Sequence, residues 1–212
     1  DWKQKDSKHL VTQFHPRLGI DSSYISAIQT RLEDMSGKKP EISLYKIWKI
    51  TSDSQPVSCV DEGLTIYPQT GYSEQYALMI SLLGERDIVR IFAHLVPFEG
   101  TWIIGSFHGQ KWTHQEKDAS LWWAQSQDSL KSGDKISAYI AANLAKNLVF
   151  GSGYYLYAQE KSYAQGSEAL FTEAQFTEQI QALIPQHKIL KASALFAQNG
   201  AGLLIRYRLP EE

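Results

Sequence analysis

Tyr76, Arg90 and His94 are the side chains whose types and spacing are best suited to chemistry in this chain. A phenol, a guanidinium and an imidazole offer different hydrogen-bonding groups, and histidine titrates near neutral pH. Arg90, Phe92 and His94 alternate in the run DIVRIFAHLV, so they share one face of a predicted strand. Symmetric pairing about a turn at residues 84–86 predicts that Tyr76 lies beside His94. These four residues are therefore the candidate ligand-binding residues of an apolar sheet face.

A structural role is the competing interpretation of the same side chains. In it, Arg90 extends to the rim of the sheet, while Tyr76 and His94 satisfy buried hydrogen bonds. We favour this interpretation for the individual residues, and the two differ in whether the face is open.

A metal site is not indicated by the histidines. The pairing that we expect sets His94 opposite Ile103 and His108 opposite Val89, so roughly 16 Å of strand separates the two imidazoles. The motif H-E-x-x-H and Asp-rich calcium loops are absent from the sequence. We predict neither a metal nor a cofactor.

Nucleophile motifs are equally weak. Cys59 is the single cysteine, so an intrachain disulfide and a CxxC motif are excluded. Ser132 and Lys135 have the S-x-x-K spacing, but the companion motifs S-D-N and K-T-G are missing, and a helix cap explains both residues. We assign no catalytic residue.

The composition is that of a folded protein without a nucleic-acid partner. Of 212 residues, 43% are hydrophobic, and 21 basic against 23 acidic residues give a net charge of −2. No stretch concentrates the Lys and Arg that phosphate binding requires, and no apolar run is long enough to cross a bilayer.

The elements that must position the candidate site are an antiparallel meander and the helices around it. Strands are predicted at 75–83, 87–96 and 101–108, and a helix capped by Asp21 or Ser22 precedes them. The segment EISLYKIWKI is compatible with either a helix or a strand.

The C-terminal half predicts helices and one hairpin. A helical hairpin spans 118–150 and breaks before Asp134, and Thr172 with Gln175 forms the capping box of a later helix. A turn at Asn199-Gly200 predicts a β-hairpin that pairs Phe196 with Leu203. The residues expected to be buried by this hairpin are Leu190, Ala194, Ile205 and Tyr207.

Two adjacent tryptophans are candidate interface residues. Neighbouring helical positions point about a hundred degrees apart, so Trp122 and Trp123 cannot both face one core. We expect one of them at a protein interface or a seam between domains.

N-terminal helices followed by a meander that ends in EGTWIIGSF resemble the NTF2-like α+β fold, and the resemblance covers roughly residues 8–112. The expected fold is an NTF2-like curved antiparallel sheet with N-terminal helices, followed by a helical hairpin and a C-terminal α-β-β unit. The expected limits are a flexible tether at 1–8, the body at 9–115, the helical hairpin at 116–152 and the last unit at 153–212.

The resemblance is to exported bacterial lipoproteins, and the polar start at Asp1 is compatible with that group. The leading expectation is a non-enzymatic protein in the periplasm or at the cell envelope that binds a protein partner or a small apolar ligand. A lipid anchor upstream of Asp1 and a homodimer are compatible with this expectation. An enzyme that uses Tyr76, Arg90 and His94 is one alternative, and a structural assembly subunit is another.

Overall fold

The computed structural model describes residues 7–36, 40–197 and 200–208 and shows an α+β protein. The chain forms two compact units, each with contacts concentrated inside it. The first takes its residues from Asp1–Glu116 and Gly151–Tyr157, and the second from Lys117–Phe150 and Ala158–Glu212.

The first unit is built on a four-stranded antiparallel sheet in which the first, fourth, fifth and sixth described strands lie side by side in that order. Its strands are β1 (Glu41–Ile50), β4 (Gln75–Leu83), β5 (Ile88–Phe98) and β6 (Thr101–Lys111). The predicted meander is confirmed, and the ambiguous segment is strand β1. The segment forms a strand because it pairs with β4, which supplies hydrogen-bond partners for the backbone N–H and C=O groups along one edge of β1.

Within the part of the chain that the structure describes, two α-helices precede this sheet. They are α1 (Ser7–Val11) and α2 (Ser22–Ser36). The expected cap is confirmed, since the Tyr24 amide donates to the Asp21 carboxylate at 2.8 Å. Leu32 of α2 packs with Leu82, Val89 and Ile91, so α2 covers one face of the sheet.

A three-stranded sheet completes the first unit. It contains β2 (Val57–Cys59), β3 (Leu64–Ile66) and β7 (Tyr155–Tyr157), with β3 in the middle. Strands of three residues carry too little periodicity to be predicted from sequence.

The second unit begins with the predicted helical hairpin. Its helices are α3 (Ala119–Lys131) and α4 (Lys135–Leu148), and the Asp134 side chain caps α4 as expected. Two further helices follow, α5 (Glu160–Leu170) and α6 (Glu173–Leu183), and the capping box of Thr172 with Gln175 is present. Helix α5 was not predicted.

The last elements are β8 (Lys188–Ala197) and β9 (Gly200–Arg208), which pair as the expected hairpin. The predicted pairing of Phe196 with Leu203 is wrong, because Leu203 pairs with Ala194. Ile205 keeps the inward side that was expected for it, since a shift of two residues preserves side-chain parity. Asn199 of the predicted turn lies outside the described residues.

An irregularity in β8 changes which of its residues are buried. The register shifts between Ile189 and Lys191, so Leu190 is left unpaired and exposed while Ile189 is buried. Leu190 and Tyr207 were expected to be buried, and both are exposed. Ala192 instead packs with Phe176 and Ile180 of α6.

Candidate functional site

Arg90, Phe92 and His94 share one face of β5 as predicted, but that face is closed. Their side chains are only 9%, 7% and 4% exposed. The Arg90 guanidinium lies 3.4 Å from the centre of the Trp112 ring, and Phe92 stacks on Tyr155 at 4.0 Å. This layer of aromatic rings covers the positions at which a ligand was expected.

The predicted neighbourhood of Tyr76 and His94 is wrong by one residue. Tyr76 pairs with Leu95, while His94 pairs with Ala77. Because side chains alternate along a strand, Tyr76 lies on the opposite face and contacts Trp102, with 4.8 Å between ring centres. The four candidate residues therefore do not form one site.

The turn between β4 and β5 causes this difference. Asp87 belongs to the turn, since the Gly84 amide donates to its carbonyl at 2.9 Å. Its carboxylate also lies 2.9 Å from the Lys111 ammonium. Because Asp87 is held in the turn, β5 starts at Ile88. Every residue of β4 therefore pairs with the residue of β5 that follows its expected partner.

His94 is a buried and neutral imidazole. Its Nδ1 lies 2.9 Å from the Ser106 hydroxyl, and the Tyr154 ring meets its edge at 5.4 Å. Burial lowers the pKa of His94 from 6.5 to about 4. The pair resembles a nucleophile with its base, but its burial gives a substrate no access.

The histidines lie closer together than the predicted register allowed. His94 pairs with Ser106 and His108 with Phe92, so the two imidazoles are diagonal neighbours on one face and the expected separation is wrong. Gly105 is left unpaired by the register shift, and a Cβ there would lie 2.9 Å from a Val96 methyl. Within the described residues, no three His, Cys, Asp or Glu side chains form a group that could hold a metal ion.

Of the two tryptophans that are candidate interface residues, Trp123 packs inside the second unit. Trp122 is 3% exposed, and the Lys117 ammonium lies 4.7 Å from the centre of its ring. Trp123 stacks on Tyr163 with 4.8 Å between ring centres, and its ring leaves no room for a Cβ at Gly166.

An open pocket lies elsewhere in the first unit, between the N-terminal helices and the helix-covered face of the sheet. Its volume is about 400 Å³. Among the described residues, the lining is almost entirely apolar and contains no acidic, basic or histidine side chain. It consists of Leu10, Gln13, Phe14, Ile25, Ile28, Gln29, Leu95, Trp102, Ile103, Ile104 and Phe107.

A short backbone contact builds this pocket. The Ile104 amide donates to the Gln13 carbonyl at 2.7 Å, and the His15 amide donates to the Ile104 carbonyl at 2.9 Å. The segment after α1 is thereby fixed along the edge of β6, and the Phe14 ring meets Phe107 edge-on. The space left between this segment, α2 and β6 is the pocket.

Gln29 is the buried polar residue among the described residues of this lining. Its side chain is 7% exposed, and none of the described residues accepts a hydrogen bond from its Nε2. Gln13, by contrast, is exposed at the mouth, and its Nε2 donates to the Thr12 hydroxyl at 3.2 Å. A buried amide without a partner is rare and destabilising, so it requires an explanation.

The pocket was not predicted from the sequence, but one signal of it is present. Gln29 lies between Ile25 and Leu32 at helical spacing, on the stripe that α2 buries. A polar residue at such a position contradicts the apolar pattern and marks a functional candidate.

Comparisons with known proteins add no relative: no family model matches the chain, and neither a curated protein nor a solved structure is similar to it. No helix of the described residues is both long and apolar enough to cross a membrane.

Proposed function

We propose that the first unit is a non-enzymatic binding module that holds a small apolar molecule in the pocket between α1, α2 and β6. The observation that supports this most strongly is the pocket of about 400 Å³ with an apolar lining and one buried amide. Small-molecule sites have this size and this composition. At the ~30 Å³ that a water molecule takes in the liquid, the volume corresponds to roughly a dozen non-hydrogen atoms.

A pocket-filling pair of variants tests this function. Leu10 lines the pocket, whereas Leu18 lies outside its lining and is exposed. We expect isopropylbenzene to shift the amide resonances of α2 and β6 in the wild type and in Leu18→Trp, but not in Leu10→Trp, whose indole occupies the space. Binding that is absent from the wild type, or equal in both variants, contradicts the proposal.

The NTF2-like relationship and the location at the cell envelope are part of the same proposal. An antiparallel meander preceded by N-terminal helices supports this relationship, because it is the arrangement on which the resemblance rests. Fractionation of the source cells tests the location, and a purely cytosolic protein would contradict it.

A further inference from the structure

A smaller pocket adjoins the apolar pocket that Leu10 lines. Its volume is about 160 Å³, and its described lining comes from α2 and β6. Ile28 and Phe107 line both pockets, so the two spaces meet at these side chains. One ligand of moderate length can therefore reach both.

Arg31 brings a charge to the smaller pocket. Tyr24, Ile28, Arg31 and Met35 recur at helical spacing and all line it, so Arg31 lies on the side of α2 that faces β6. Burial lowers the pKa of His108 in β6, and the charge of Arg31 adds to that lowering, which places the guanidinium near this part of the strand. Among the residues that the structure describes, no acidic side chain forms an ion pair with Arg31.

The charge of this pocket favours a monovalent anion. Arg31 is the one side chain of the described lining that carries a full positive charge, because burial disfavours the charged form of His108. A carboxylate balances a single guanidinium and matches its two parallel N–H groups. A phosphate monoester carries about −1.5 to −2 at pH 7, so part of its charge would stay unbalanced.

The exposure of Arg31 determines where such an anion would lie. Arg31 is exposed, so its guanidinium can bind an anion at the boundary with solvent, and neither charge has to be buried. The described lining of the apolar pocket has no charged group and suits the hydrocarbon part of the same molecule. The two pockets together therefore match a molecule with an apolar chain and an anionic end.

We propose that the ligand of the first unit is an aliphatic carboxylate, with its chain in the apolar pocket and its carboxylate on the guanidinium of Arg31. This inference rests on the proposed function, because it specifies the chemical class of the molecule that the apolar pocket holds. The chain supplies hydrophobic affinity, and Arg31 selects the head group.

Octanoate and 1-octanol test the head group, because they share a chain and differ in charge. With about ten non-hydrogen atoms, both are of the size that the apolar pocket holds. In Arg31→Gln, we expect the affinity for octanoate to fall about tenfold at low ionic strength and the affinity for 1-octanol to stay unchanged. Added salt should weaken octanoate binding to the wild type more than to Arg31→Gln, since the ion pair is exposed. Retained 1-octanol binding shows that the variant is folded.

Arg86→Gln is the matched control for charge. It removes the same group from an exposed residue that lines neither pocket, and we expect it to leave both affinities unchanged. Leu10→Trp tests the position of the chain. It should weaken the binding of both probes, whereas Leu18→Trp should not.

The outcomes separate the two proposals. If isopropylbenzene, 1-octanol and octanoate all fail to bind, the proposed function fails and this inference fails with it. If isopropylbenzene or 1-octanol binds in the apolar pocket but octanoate does not, only the inference about the carboxylate is overturned. The same holds if Arg31→Gln leaves the ratio of octanoate to 1-octanol affinity unchanged, or if Arg86→Gln lowers it equally. Octanoate binding that survives Leu10→Trp overturns the placement of the chain.

Discussion

The imidazole of His94 is kept neutral by the residues around it. Ser106 occupies its Nδ1, the Tyr154 ring covers one edge, and the side chain is almost fully buried. Protonation would place a charge in this apolar layer, which is why burial lowers its pKa to about 4. The residue therefore links the stability of the first unit to pH.

We expect the protein to lose stability as the pH falls from 6.5 to 4. In that range an unfolded histidine binds a proton while folded His94 does not, so acid favours the unfolded state. In His94→Gln, an amide can keep a hydrogen bond to Ser106 but does not titrate. The free energy of unfolding of this variant should therefore gain up to about 3 kcal/mol relative to the wild type between pH 6.5 and 4.

Urea unfolding at a series of pH values measures this difference. Burial also lowers the pKa of His108, but His108 is present in both proteins and cancels from the comparison. His9→Gln makes the same change at an exposed position and serves as the control. A constant difference between His94→Gln and the wild type across this range would contradict the assignment.

The turn before β5 also contacts a helix end. The Glu85 amide donates to the Ser36 carbonyl at 3.3 Å, where α2 ends. A Cβ built on Gly84 would lie 1.9 Å from that same carbonyl oxygen. Any side chain at Gly84 must therefore move either the turn or the helix end.

Gly84→Ala is expected to destabilise the protein by about 2–4 kcal/mol, because the obstructing atoms are backbone and cannot rotate away. Gly153→Ala is the matched control, since a Cβ there meets no atom within 4 Å. Denaturant midpoints of the two variants give the comparison. Equal midpoints would show that the turn can separate from α2 without cost.

The sequence predicts those elements that are determined by local interactions, and it does not predict features that depend on contacts between distant residues. Long apolar runs and side-chain caps are local, so the meander, the helical hairpin and the capping box at Thr172 were predicted correctly. The register of β4 and β5 was predicted wrongly, because Asp87 is held in its turn by Lys111, which lies on another strand. The unpaired Gly105 likewise depends on packing against Val96. A site that consists of side chains from neighbouring strands is predicted wrongly whenever the strand register is predicted wrongly, as for Tyr76 and His94.

At the scale of the whole molecule, the two units are not consecutive in sequence. The chain passes from the first unit into the second, returns to the first for residues 151–157 and then completes the second. Helices α3 and α4 belong to the second unit, yet β7, which follows them, pairs with β3 in the first. Tyr155 of β7 is 2% exposed and stacks on Phe92. The covered face of the large sheet thus depends on residues that follow the helical hairpin in sequence.

Tyr155→Ala should consequently weaken the first unit, although its nearest neighbours in sequence are helices of the second. Loss of a fully buried aromatic ring costs about 3–5 kcal/mol, and the cavity would open directly over Phe92. Leu156→Ala is the control in the same strand, since Leu156 is exposed. Hydrogen exchange followed by mass spectrometry should show faster exchange in β4, β5 and β6 for Tyr155→Ala only. The helices α3, α4 and α6 should keep their exchange rates, because the second unit has its own core around Phe176 and Ile180. Unchanged exchange in β5, or an equal effect of Leu156→Ala, would show that the large sheet does not depend on the returning strand.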